Sequence, residues 1–208
     1  MGAFEFFFSF YGLLLGLSVA AIATGAATAV QKRKQIRIGW LTPLLALFVA
    51  LDIASFWDAA WTNFRHLPFS YGLLVAGLAI ALVYFIAASL VFPNEIEEGQ
   101  SLDDHFWSNK TIVLALLIVA NLLGVGAMLG ANLGRENGIA LMLGYAVNGA
   151  LYVLLVGLAA IARRRTLFAI AIGLHVLIYL IIAGLTAIQP HNVVDEHGEV
   201  IVRDLGAP

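Results

Sequence analysis

Five polar residues stand out because each falls deep inside a long apolar run. They are Asp52, Asn121, Asn148, His175 and Tyr179. At 1.5 Å of rise per helical residue, and counting from the ends of the runs rich in Lys and Arg, Asp52 lies about 18 Å in, Asn121 about 17 Å, Asn148 about 21 Å, His175 about 14 Å and Tyr179 about 20 Å. A bilayer core is about 30 Å thick, so the five form one layer near its midplane, where an unpaired polar group is costliest. Helical phase agrees. Residues three or four apart share a face, which places Tyr145, Asn148 and Tyr152 on one stripe and His175 with Tyr179 on another. Both stripes are expected to face inward.

Asp52 is the costliest of the set. A carboxylate at the bilayer centre costs roughly 2.5 to 3.5 kcal/mol on insertion scales, so it must be paired, protonated or open to a wet cavity. The one cationic candidate at its depth is His175, and an Asp–His pair at the midplane would make a proton relay. The competing reading is structural: polar groups in lipid often act as hydrogen-bonded glue between helices. Asp58, six residues on, is rotated away from Asp52 and lies near the end of its run. It belongs with Trp57 and Trp61 as the lining of an outer vestibule, or pairs with Arg65 or Arg135. The two tryptophans also suit a membrane boundary, where Trp collects.

These residues need a scaffold of membrane spans, and the composition supplies one. The 208 residues are 62% hydrophobic and 12% charged, with a net charge of −2 and a mean hydropathy of +0.94, far from the roughly 25% charged content of soluble domains. Six segments reach the roughly 20 apolar residues needed to cross a bilayer: about 6–30, 40–63, 67–92, 110–132, 138–162 and 166–188. The reading is an all-α, six-span bundle over residues 1–190, followed by a polar tail over 191–208. Lys32, Arg33, Lys34, Arg37, Lys110, Arg163, Arg164 and Arg165 share one face, against Arg65, Arg135 and Arg203 on the other. The positive-inside rule then makes the first face cytoplasmic and both termini external. The N-terminus has no basic stretch and no small-residue cleavage site, so the first span is expected to be retained.

The connections at 64–66 and 133–137 are short, so spans two and three, and four and five, are expected as antiparallel neighbours, with Pro68 in the first turn of span three. The loop Pro93 to Asn109 is acidic. Its Ser101-Leu102-Asp103-Asp104 resembles a capping box, while Leu102, Phe106 and Trp107 would serve either as aromatic anchors of a solvated loop or as a short helix on the lipid interface. The tail from Val193 to Leu205 alternates apolar and polar residues about His197-Gly198, as a small hairpin does. His191, Glu196 and His197 in that tail are expected to be solvated rather than metal-bound. Gly12 with Gly16, and Gly126, Gly130 and Gly134, have the spacing that lets helix backbones touch, within the chain, in a homo-oligomer or in a larger membrane complex.

Several chemistries have no residues to carry them. Cysteine is absent, which removes thiolate metal sites and cysteine nucleophiles. One mid-membrane histidine is too few for a bis-histidine haem. No lysine lies mid-span for a Schiff base, and HExxH, GxSxG and phosphate-binding glycine motifs are missing. No fixed-period repeat is present. No cofactor or nucleic-acid partner is expected, and no catalytic residue is assigned; the partner that composition does imply is the lipid bilayer.

The chain resembles a family of uncharacterised bacterial six-span inner-membrane proteins over about its first 110 residues. Trp57 and Trp61, the Phe92-Pro93 exit from span three, and Leu102, His105, Phe106, Trp107 and Lys110 carry the likeness. Family members have adjacent tryptophans and a basic run after the His-aromatic pair, whereas here the tryptophans are separated and Lys110 stands alone. The resemblance implies a bacterial inner-membrane protein of unknown function, so that the external side given by the loop charges would be periplasmic. Two function classes fit: a small proton- or ion-linked transporter or ligand-binding membrane protein with a midplane site, and a non-catalytic accessory subunit of a larger complex. An enzyme is the less favoured third.

Overall fold

The computed structural model describes residues 3–64, 70–95, 99, 101–132, 138–188, 192–194 and 200–202. Among them are six α-helices: α1 Ala3–Gln31, α2 Leu41–Phe64, α3 Tyr71–Ser89, α4 Leu102–Asn132, α5 Gly138–Ile161 and α6 Arg165–Ile188. All six are long and apolar enough to cross a membrane, which makes this a multi-pass membrane protein. Two three-residue strands, β1 Asn192–Val194 and β2 Val200–Val202, pair antiparallel with Asn192 opposite Val202, the pairing expected of the tail. His191, Glu196 and His197 lie outside the described residues.

Packing joins α1 to α3, α3 to α4, α4 to α5, α5 to α6, α6 to α2 and α2 back to α1, closing a ring. Within it α2 also reaches across to α4 and is the most buried of the six. The expected α2–α3 pairing is the weakest contact in the bundle, although α4 and α5 pair closely as expected. The reason is that α3 fits between α1 and α4, leaving α2 inside with the polar layer. Lipid offers no hydrophobic drive between helices, so close packing and hydrogen bonds must hold them. Phe48, Ile53, Tyr84, Leu117 and Phe168 fill the interior, while Leu, Ile and Val side chains cover the outside. Four hydroxyls in the apolar helices bond within their own helix: Ser18 to the Leu14 carbonyl, Thr28 to Thr24, Ser89 to Phe85 and Thr186 to Ile182.

Helix boundaries differ from expectation at two places. Span three begins later, at Tyr71, with the Ser70 hydroxyl accepting from the Leu73 N–H at 3.2 Å as its N-cap; Pro68 lies outside the described residues. Span four begins eight residues earlier than expected, at Leu102, so the solvated-loop reading of its approach fails. Leu102 and Phe106 are buried in the core rather than laid on lipid, because their spacing continues the inward face of α4 through Val113 and Leu117. Asp103 and Asp104 occupy the first turn, where the helix dipole favours negative charge.

The basic end is tied together by backbone. Arg37 and Ser101 form a parallel bridge. The Gly99 N–H donates to the Gln35 carbonyl at 2.8 Å and Leu102 to Arg37 at 3.2 Å. Thr42 adds a buried bond to the Leu102 carbonyl at 2.9 Å. Gly39 packs directly on Asp103, which meets Arg165 at 3.6 Å. Lys110, expected as the first residue of span four, is buried and two turns inside α4. Its ammonium donates to the carbonyls of Ala159 at 3.3 Å and Ala160 at 2.6 Å, capping the C-terminal end of α5, where a cation is favoured.

Candidate functional site

Five of the six helices, all but α1, contribute to a common cavity of about 870 Å³. On α2 that face is Asp52, Ser55, Phe56 and Ala59; on α4 it is Asn121, Gly124, Val125 and Met128; on α6 it is His175, Ile178, Tyr179 and Ile182. The three sets share the i, i+3, i+4, i+7 spacing of one helical stripe. From α5 come residues including Asn148 and Tyr152, and from α3 comes Tyr84. All five residues of the expected midplane layer, Asp52, Asn121, Asn148, His175 and Tyr179, therefore line one cavity.

Asp52 sits at its polar end, 3% exposed. Three phenols from three helices donate to it: Tyr84 to Oδ2 at 3.1 Å, Tyr152 to Oδ2 at 3.0 Å and Tyr179 to Oδ1 at 2.6 Å. The last is in the short range of an O–H bond to a charged oxygen. Three donors on two oxygens suit an ionised carboxylate, which can only accept. Ser55 is a further partner of Tyr179.

The expected Asp52–His175 pair is not formed. The imidazole is boxed by aromatic rings instead, with centroids 5.4 Å from Phe48, 5.1 Å from Tyr152 and 4.9 Å from Tyr179, each edge-to-face. Its Nδ1 is buried with no hydrogen-bond partner. His175 thus braces the two tyrosines that hold Asp52. Tyr179, one turn further along the same helix as His175, is the α6 side chain that reaches the carboxylate.

Asn121 stands at the wall with its Oδ1 buried and unpartnered. Gly149 lets Val125 come close: a Cβ there would lie 2.9 Å from Val125, with Asn121 Oδ1 at an ordinary contact distance of 3.7 Å. Gly124 does the same for Phe56, with a Cβ 2.7 Å from the ring edge. The glycines that matter at the site are therefore these two. Gly126 and Gly130 have nothing within 4 Å, and neither has Gly16; Gly134 lies outside the described residues.

The three vestibule residues are elsewhere. Trp57 packs on Gly12 and, with its centroid 5.9 Å away, on Phe8; Trp61 meets Phe8 edge-on at 4.8 Å. Both tie α2 to α1. Asp58 is exposed and does not line the cavity, and Arg65 and Arg135 lie outside the described residues.

Sequence reasoning missed Tyr84 as a site residue, and noted Tyr152 only as part of a stripe. The signal for Tyr84 was available. Asp52 and Tyr84 lie almost equally far from the facing ends of α2 and α3, so antiparallel helices bring them to the same depth.

The arrangement offers a carboxylate whose partners are all uncharged, an unpartnered amide oxygen and aromatic walls. No Lys or Arg side chain is among the lining residues. Such a site can hold a proton, a cation or a hydrogen-bond donor; it has no electrophile and no activated nucleophile. Searches of protein-family models, curated proteins and solved structures find no match to this chain.

Proposed function

We propose that this is a ligand-binding membrane protein whose site is the midplane cavity, with Asp52 holding either a proton or the polar end of the ligand, as a small proton-linked carrier requires. The convergence of Asp52, Asn121, Asn148, His175 and Tyr179 on one cavity carries this reading. Its volume of about 870 Å³ is within the range of about 300 to 1,000 Å³ usual for small-molecule sites. A bundle held only by structural hydrogen bonds would have no use for such a space, since interiors pack to near-crystalline density. On this reading the basic end of the bundle is cytoplasmic, in keeping with the positive-inside rule, and the ends of the chain lie on the opposite side.

The accessory-subunit reading is favoured by one observation: Gly126 and Gly130 face nothing within 4 Å in this chain, leaving a smooth strip on α4 for another helix. A thermal-shift screen separates the two. Amphipathic solutes of different charge are added to the purified full chain and to Val147→Trp, which fills the cavity wall. A ligand at one hundred times its Kd stabilises a protein by about 2.7 kcal/mol. Solutes that stabilise the native chain but not Val147→Trp support the cavity as the site. If no solute distinguishes the two proteins, the ligand-binding reading is lost.

A further inference from the structure

The ligand class follows from the cavity's charge, its walls and its mouth, taking the cavity to be the ligand site. Asp52 is the one carboxylate among the lining residues, and every group bonded to it is a neutral phenol. The nearest intramembrane ammonium, Lys110, is occupied by the carbonyls of Ala159 and Ala160 at the basic end. With the carboxylate ionised, the site carries one uncompensated negative charge, and a low-dielectric surrounding amplifies its attraction for a cation. Asn121 adds an acceptor with no partner in the protein. Phe56, Tyr84, Tyr145 and Tyr152 place aromatic rings in the wall, and ring faces attract cations, most strongly where water is excluded.

Size and access narrow the class. The cavity is far too large for a monatomic ion, and most of its lining is aliphatic or aromatic. Along α5, Leu143, Val147 and Leu151 line the cavity and are each more than half exposed, as is Ile182 of α6. Exposed lining residues on two neighbouring membrane spans point to a route between α5 and α6, from the acyl chains. A solute entering by that route must be lipid-soluble.

We propose that the cavity takes a lipophilic organic monocation, a protonated or quaternary onium centre on an apolar body, which reaches Asp52 from the lipid between α5 and α6. The cation pairs with the ionised carboxylate, and no covalent bond forms or breaks.

Two ions of matched shape and opposite charge test this. Tetraphenylphosphonium, tetraphenylborate and uncharged triphenylmethanol are titrated separately into the purified full chain, and the thermal unfolding midpoint is followed. Tetraphenylphosphonium is expected to raise the midpoint saturably, with tetraphenylborate inert. Asp52→Asn is expected to weaken the phosphonium by roughly tenfold or more, the scale of a lost charge–charge attraction away from bulk water, and Val147→Trp to remove its effect. The comparison of the two ions on the native chain holds whether or not Asp52→Asn folds. Equal effects of the borate or the alcohol, or undiminished phosphonium binding in a folded Asp52→Asn, overturn the cationic class; provided Val147→Trp abolishes them, the cavity survives as a ligand site. If no probe shows an effect that Val147→Trp removes, both readings fall.

Discussion

Tyr179 and Asp52 are joined by a 2.6 Å hydrogen bond, the shortest of the three on that carboxylate and the only one of them on Oδ1. Oδ2 has two donors, Tyr84 and Tyr152. Tyr179→Phe therefore leaves one carboxylate oxygen without a donor from the protein, whereas Tyr152→Phe leaves each oxygen one. Hydrogen bonds to charged groups contribute about 1.5 to 3 kcal/mol. Tyr179→Phe is expected to lose an amount in that range and Tyr152→Phe less, as ranked by thermal unfolding in detergent. Equal losses would show that the two oxygens are not inequivalent.

Asp52→Ala should be worse than either tyrosine change. It takes the acceptor from three hydroxyls at once, those of Tyr84 and Tyr152 being buried, and each unsatisfied buried group costs about 1 to 3 kcal/mol. Asp52→Asn keeps an acceptor oxygen and should be tolerated better. Expression and unfolding of the two variants give the order directly; an Asp52→Ala protein as stable as Asp52→Asn would remove the carboxylate from the structural account.

A proton and an organic cation compete for one carboxylate. Affinity for tetraphenylphosphonium should therefore fall as pH is lowered far enough to protonate Asp52, and in that range binding should release protons into a weakly buffered solution. The groups facing Asp52 are Tyr84 of α3, Tyr152 of α5 and Tyr179 of α6, with Asn121 of α4 and His175 of α6 also on the cavity. The tyrosines are not expected to change charge in the acidic range, and a protonated His175 would repel the cation, which works in the same direction. Calorimetry in two buffers of different ionisation enthalpy measures the released protons. A pH-independent affinity would count against the exchange.

The glycines divide into tight and open positions, and the division is measurable. A Cβ at Gly25 would fall 2.5 to 2.6 Å from three atoms of Phe92, its Cβ among them, so ring rotation gives no relief. Gly25→Ala should destabilise by about 1 to 3 kcal/mol, the usual range for overpacking. Gly126→Ala has open space and should be neutral or slightly stabilising, since Ala is the better helix former by about 1 kcal/mol. Gly126→Leu should leave the fold intact. If it also changes the oligomeric state seen by light scattering, the open strip is an interface.

Lys110 caps a helix that is not its own. Lys110→Met keeps the apolar stem but frees the carbonyls of Ala159 and Ala160, of which Ala160 retains the Thr111 hydroxyl at 3.1 Å. A loss of about 1 to 2 kcal/mol is expected. Faster amide exchange should appear at the α5–α6 turn, leaving the cavity end of the bundle unchanged.

The spans and the polar layer were legible because lipid enforces both. An apolar run of sufficient length has few alternatives to a helix, and a polar residue at mid-depth must turn inward. Depth and phase together placed Asp52, Asn121, Asn148, His175 and Tyr179 on one cavity. Pairing within the layer was not legible. Charge alone suggested His175 for Asp52, but the partner is decided by which side chain reaches the oxygen across a helix gap, and three tyrosines do. The start of α4 was missed for a related reason: Asp103, Asp104 and Lys110 make residues 102–110 read as a polar loop, when their charges serve a helix dipole, Arg165 and the end of α5. Neighbour order in the ring also escaped, because a short connection limits distance without fixing which helix fills the space between.

Asp52 has one consequence for motion. Two of its three donors, Tyr152 and Tyr179, are carried by α5 and α6, the helices that flank the opening to lipid. The oxygens that draw those helices onto α2 are the same oxygens a guest must contact. Occupancy and the width of the gap are therefore not independent variables: whatever takes a lone pair from Asp52 loosens a fastening of the door it came through.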